Sequence, residues 1–186
     1  MNIIFFGSPN YSCKVIGSLL TSKHVVQAVI TQNFKNNRRI KTPVGLFSES
    51  KNINTLYPAN LADKKFIKML KSYNADLYII YAYGKILPPE LIVLPKYGVI
   101  NIHCSLLPKW RGAAPIQRAL QNGDQQTGVT FFKIDESLDT GEIISSYEYS
   151  IEDNDDALSL QDKLTQIAID HLEEVISLNL NSSKFT

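Results

Sequence analysis

"TGVTFFKIDESLDTGEIISSYEYSI" occupies residues 127–151, and its two apolar runs decide the fold class. Thr127–Ile134 and Glu142–Ile151 are rich in strand formers and are separated by only a short acidic loop. A parallel crossover needs a dozen or more residues, so these two strands must run antiparallel. Upstream the rhythm differs, with strands and helices alternating, which predicts a parallel sheet. The expected fold is therefore α/β: a Rossmann-like open sheet, mostly parallel, with an antiparallel pair near the C-terminus.

Working back from that pair, Ala113–Gly123 reads as a helix stopped by its glycine, and Gly98–Cys104 as a strand. Asp76–Gly84 is another strand, and Leu61–Asn74 carries Phe66, Ile67 and Leu70 on one helical face. A strand near Asn54–Tyr57 follows a short helix at Val44–Ser50. Asn33–Pro43 is polar, basic and aperiodic, and reads as a loop. Val25–Thr31 is a strand, and Ile16, Leu19 and Leu20 recur at helical spacing. The opening run Asn2–Phe6 is a short strand, apolar from Ile3 onward and ended by Gly7-Ser8-Pro9. After the antiparallel pair, Ser159–Leu178 predicts a last helix, with Ser159 and Asp162 as its capping box. Residues 1–178 make one domain, and 179–186 read as a tail or the start of a linker.

Bulk properties narrow the function. The chain has 186 residues, 44% hydrophobic and 20% charged, with a formal net charge of +1. Nucleic-acid contact would have to rest on a local basic patch rather than a global field. No apolar run approaches the ~18–20 residues needed to span a bilayer, and no membrane role is expected. Two cysteines and three histidines are scattered without zinc spacing, so no metal site is expected and the thiols read as free in a reducing cytoplasm. Neither G-x-G-x-x-G nor a P-loop motif occurs, which weakens dinucleotide and ATP readings.

Ligands of open α/β sheets bind beyond the C-terminal ends of strands. Asn101 and His103 stand at such an end, two residues apart and hence on one face. Cys104 points the other way, a poor geometry for a Cys–His pair. A strand-end histidine bonded to backbone is the competing structural reading. Asp139 lies in the acidic loop, where such residues are ordinarily solvated turn formers. Should it fold back onto His103, the trio would suit acyl transfer to an amine without a protein nucleophile. Asn101 and protonated His103 would donate to an oxyanion, and the carboxylate would favour the imidazolium and accept a proton.

"HCSLLPKWRGAAPIQRAL" and "DESLDTG" resemble the H-x-S-L-L-P segment and the acidic loop of the folate-dependent formyltransferases. "FFGSPNYS", "YAYGKILPPELI", "SLLPKWRGAAPIQRA" and "GDQQTGVTFFKIDESLDTG" are most similar to the methionyl-tRNA members, in the same order and over nearly the whole chain. The resemblance implies 10-formyltetrahydrofolate as donor, the amino group of initiator methionyl-tRNA as acceptor, and a cytoplasmic monomer. It carries the catalytic roles onto Asn101, His103 and Asp139. Folate contacts fall on Ser105, Leu106, Leu107 and Pro108, and the pterin-pocket segment falls on Tyr83, Gly84, Ile86 and Leu87.

Lys35, Arg38, Arg39 and Lys41 would meet acceptor phosphates, with Arg111 beside the site; a solvated loop is an equal alternative for that cluster. The resemblance also marks departures. The methionyl-tRNA members carry a C-terminal β-barrel domain, and this chain stops at Thr186, where their linker would begin. The tRNA-gripping loop is shorter and Asn-rich here. Ser137 stands where the family usually has Gly, and Cys104 where it often has Ala. An amino-sugar nucleotide acceptor on the same core is the first alternative. Phosphoribosylglycinamide fits less well, because W-R-G-A-A-P is not usual beside that enzyme's motif. A binding module without catalysis would have no need of the whole trio.

Overall fold

A computed structural model describes residues 1–32, 34–35 and 38–182, the side chains of 34, 35, 38, 39 and 182 excepted. The chain divides into two compact units, Met1–Ile100 and Asn101–Thr186.

In the first unit the strand order is β5-β2-β1-β6, from β1 (Asn2–Gly7), β2 (Val25–Ile30), β5 (Thr55–Leu56) and β6 (Leu77–Tyr81). The pairs β1–β2, β1–β6 and β2–β5 are all parallel. Ile3, Ile4, Phe5 and Phe6 are fully buried, as is nearly all of β6. A strand covered on both faces has no reason to alternate, which is why these segments are continuous apolar runs.

Helices α1 (Asn10–Thr21), α2 (Pro43–Ser50), α3 (Lys64–Ser72) and the single-turn α4 (Pro89–Ile92) connect the strands. Thr42 caps α2 by accepting from Gly45 N–H, and Asp63 caps α3 by accepting from Phe66 N–H at 2.9 Å. Asp63→Ala should cost about 0.5–2 kcal/mol in urea unfolding, because that helical N–H loses its acceptor. An unchanged midpoint would show that the cap contributes nothing.

One expectation needs correction here. The stretch read as a loop contains a two-stranded antiparallel ladder, β3 (Phe34–Lys35) with β4 (Arg38–Arg39). Two-residue strands are too short to show periodicity in sequence.

The second unit orders its strands β7-β8-β9. β7 (Val99–His103) enters it at Asn101, and β8 (Gln126–Lys133) pairs antiparallel with β9 (Ile143–Ser150). The antiparallel pair is therefore where the loop length requires it. β8 is almost wholly buried, whereas β9 alternates, as an edge strand with one wet face should. Leu160, Leu164, Leu172 and Val175 of α6 (Ala157–Ser182) are buried.

The capping box expected at Ser159 and Asp162 is corrected to Asp156 and Ser159. The Asp156 carboxylate accepts from the N–H groups of Leu158 and Ser159, both at 2.8 Å, and Ser159 Oγ accepts from Asp156 N–H at 3.0 Å. α6 also runs to Ser182, and Asn179 is fully buried, so residues 179–182 continue the helix. Among the described residues no helix is long and apolar enough to cross a membrane, and no group of three or more His, Cys, Asp or Glu could hold a metal.

Candidate active site

The sequence VINIH builds β7, and its two-residue period sets Asn101 and His103 on one face. His103 is buried, with 8% of its side chain exposed, and Asn101 is half-buried. No described residue hydrogen-bonds the Asn101 side chain, which leaves its amide able to donate. Cys104 is turned elsewhere, as expected: its sulfur accepts from Gln161 Nε2 of α6 at 3.7 Å.

The acidic loop does fold back. Asp139 sits at φ 51, its side chain is 11% exposed, and one carboxylate oxygen lies 3.8 Å from His103 Nδ1. The same oxygen accepts the Gly112 N–H at 2.7 Å. The backbone bond therefore fixes the carboxylate. The imidazole feels its charge from beyond hydrogen-bond range. That spacing matters: a proton on Nδ1 is attracted by Asp139 but not consumed by it, and can still be given to a third atom.

The other ring nitrogen is occupied. His103 Nε2 lies 2.9 Å from the Trp110 carbonyl. A carbonyl can only accept, so Nε2 carries a proton and Nδ1 is the nitrogen left for chemistry. A backbone-bonded Nε2 thus leaves the second nitrogen of the same ring open to other partners.

The segment that follows is shaped by backbone. Ser105 Oγ donates to the Lys109 carbonyl at 2.6 Å, and Thr130 of β8 donates to the Ser105 carbonyl at 2.7 Å while accepting from Leu107 N–H at 3.1 Å. Gly128 lies beneath this turn. A Cβ there would meet the Tyr147 carbonyl and come within 2.6 Å of Leu106 Cδ2, so the close approach requires glycine. Trp110, Gly112 and Ala114 all have left-handed backbone, at φ 59, 81 and 60. Nothing crowds Gly112, whose added Cβ would lie 3.5 Å from Leu138; its glycine answers the dihedral.

Sequence reasoning missed two supports of His103: the Trp110 carbonyl and the anchor behind it. Trp110 Nε1 donates to Asp124 at 2.7 Å, and Lys109 Nζ reaches the same carboxylate at 2.9 Å. Backbone acceptors leave no mark in a sequence, and a Gly-Asp after a helix reads as an ordinary turn.

Ser105, Leu106, Leu107, Pro108 and exposed Arg111 accompany the trio in the second unit. Tyr83, Gly84, Ile86 and Leu87 belong to the first. There Tyr83 and Leu87 are buried, Ile86 is 79% exposed, and the Tyr83 carbonyl accepts from Gln32 Nε2 at 2.5 Å. Among the described residues the Tyr83 hydroxyl has no hydrogen-bond partner, and burial pushes its phenol well above the ordinary range. Of the expected acceptor cluster, the side chains of Lys35, Arg38 and Arg39 lie outside the described residues. Lys41 is described and is paired with Glu49 at 2.5 Å.

Comparison with known proteins bears on the family. The family model described as Formyl transferase matches residues 1–176. A methionyl-tRNA formyltransferase of Prochlorococcus marinus is 43% identical, over 97% of this chain and 59% of its own length. One from a Wolbachia of Drosophila simulans is 42% identical, over 95% of this chain and 60% of its own. The chain thus spans about 60% of the length of the curated relatives it matches. Among solved structures, a phosphoribosylglycinamide formyltransferase of Bacillus halodurans superposes with TM-score 0.77 at 25% identity, covering 100% of this chain and 97% of that one. A formyltetrahydrofolate deformylase of Pseudomonas syringae gives 0.72 at 23%, covering 93% of this chain and 61% of that one, and supports the fold alone. A family match that begins at residue 1 and ends only at residue 176 places the chain in the formyl transferase family.

Proposed function

We propose that this chain transfers a formyl group from 10-formyltetrahydrofolate to the amino group of initiator methionyl-tRNA. The observation that carries the chemistry is His103, with Nε2 committed to backbone and Nδ1 facing Asp139 across 3.8 Å. The donor set fits a formyl carbonyl. An amide and an imidazole on one strand face can stabilise a developing oxyanion, and a neighbouring carboxylate complements the positive imidazolium. The donor supplies an activated formyl group. Asn101 and His103 Nδ1–H hold the oxygen as the acceptor amine attacks the formyl carbon; the carbonyl then re-forms, the bond from that carbon to the tetrahydrofolate nitrogen breaks, and the proton given up by the amine ends on the departing nitrogen, with Asp139 balancing the imidazolium charge throughout. Ser105–Pro108 and Tyr83–Leu87 are assigned to the folate.

The acceptor assignment is supported by the names of the relatives near 40% identity, against 25% or less for the phosphoribosylglycinamide enzymes. In this reading the protein works as a cytoplasmic monomer, and Lys35, Arg38, Arg39, Lys41 and Arg111 serve the tRNA. The test is transfer of labelled formyl from 10-formyltetrahydrofolate to three acceptors in parallel: charged initiator tRNA, an amino-sugar nucleotide and phosphoribosylglycinamide. Transfer to the tRNA is expected. Transfer confined to either small acceptor would keep the chemistry and replace the substrate. Folate binding without any transfer would leave a binding module.

A further inference from the structure

We propose that Asp124 is a positioning residue for His103, acting through Trp110: its carboxylate holds the indole N–H, and the Trp110 carbonyl fixes which imidazole nitrogen carries the proton. Only the activity readout of this inference rests on the formyl-transfer reading.

The chain of contacts is short. Asp124 is anchored by its own N–H to the Ala119 carbonyl at 3.0 Å, at the end of α5 (Pro115–Gln121). One carboxylate oxygen takes Trp110 Nε1 at 2.7 Å; the other takes Asn122 Nδ2 at 2.7 Å and Lys109 Nζ at 2.9 Å. The ammonium of Lys109 also lies 5.6 Å from the indole centroid. The side chain of Asp124 is only 6% exposed.

Trp110 has left-handed backbone, a conformation that is unfavourable for an L-residue and needs something to hold it. The bonded indole provides that hold. It belongs to the same residue whose carbonyl meets His103 Nε2, so holding the ring also aims the acceptor. Without that acceptor, nothing in the site selects Nε2–H over Nδ1–H in the neutral ring. The acceptor matters for catalysis because the imidazolium that donates from Nδ1 also carries a proton on Nε2, and a neutral ring already protonated at Nε2 keeps Nδ1, the nitrogen facing Asp139, free to take up and give back the mobile proton. The hydrogen bonds from Asn122, Lys109 and Trp110 lower the Asp124 carboxyl to about 2, so it remains a charged acceptor at any working pH.

A plain structural role, tying the loop to the end of α5, would affect stability alone. Three variants separate the two roles: Trp110→Phe, which keeps the ring and removes the N–H; Asp124→Ala; and Asp124→Asn, which keeps an acceptor oxygen. Their imidazole ¹⁵N spectra and their formyl-transfer kinetics are compared. Wild type should show His103 protonated at Nε2. Trp110→Phe and Asp124→Ala should give a mixture of tautomers and lower kcat by about 10- to 100-fold without moving the KM for the donor. Asp124→Asn should restore both. An unchanged His103 spectrum in Trp110→Phe overturns the proposal, even if Asp124→Ala fails to fold. Wild-type protein that transfers formyl to no acceptor would refute the functional reading, while the spectra would still decide this one.

Discussion

His103→Ala should lower kcat for formyl transfer by roughly three orders of magnitude, the scale of losing a proton-transfer group and an oxyanion donor together. The KM for the donor should stay within about twofold, because the imidazole acts in the transition state rather than in binding. The variant leaves Asp139 bonded to Gly112, so the acidic loop keeps its anchor. It does remove the donor to the Trp110 carbonyl, a half-buried hydrogen bond worth about 0.5–1.5 kcal/mol of stability. His103→Gln, which can return an N–H to that carbonyl, distinguishes the two effects. It should recover stability without recovering rate. Near-normal turnover in either variant would exclude His103 from the chemistry.

Asp139→Asn is the second large effect. The amide oxygen can still accept from Gly112, so thermal stability should change little. The negative charge is lost, however. At 3.8 Å, with an effective dielectric of about 20, a carboxylate and an imidazolium attract by about 4 kcal/mol. Losing most of that attraction in the transition state corresponds to a fall in kcat of about 10²- to 10³-fold. Asp139→Ala should show the same rate loss and, in addition, a lower melting temperature, because the half-buried Gly112 N–H is left without its acceptor. If Asp139→Asn turned over at the wild-type rate, the carboxylate would be a loop anchor only. The contrast between Asn and Ala divides the charge from the hydrogen bond.

Some parts of this site were open to sequence reasoning and others were not, for physical reasons. The continuous apolar run from Ile3 to Phe6, within the strand read at Asn2–Phe6, announces a strand covered on both faces, and the strand is there. The short connection between Ile134 and Glu142 forces β8 and β9 to run antiparallel. Asn101 and His103 share a face because strand periodicity is strict. Asp139 was different: acidic loop residues are mostly solvated, and only resemblance aimed it at His103. The capping box was misplaced because overlapping Asp and Ser signals at 156, 159 and 162 all satisfy the same pattern. The β3–β4 ladder was too short to carry a period. The Trp110 carbonyl was invisible, since every residue has a carbonyl and only the folded loop says which one matters.

The alternation of left-handed backbone at positions 110, 112 and 114 also governs how this segment can diverge over evolutionary time. A β-branched replacement at any of the three meets a steric penalty whatever its chemistry. Arg111 and Ala113, between them, are exposed and free of that constraint. Divergence is thereby channelled to alternate residues. Replacement of either one rewrites what the loop presents to solvent while the backbone that carries the Trp110 carbonyl keeps its path.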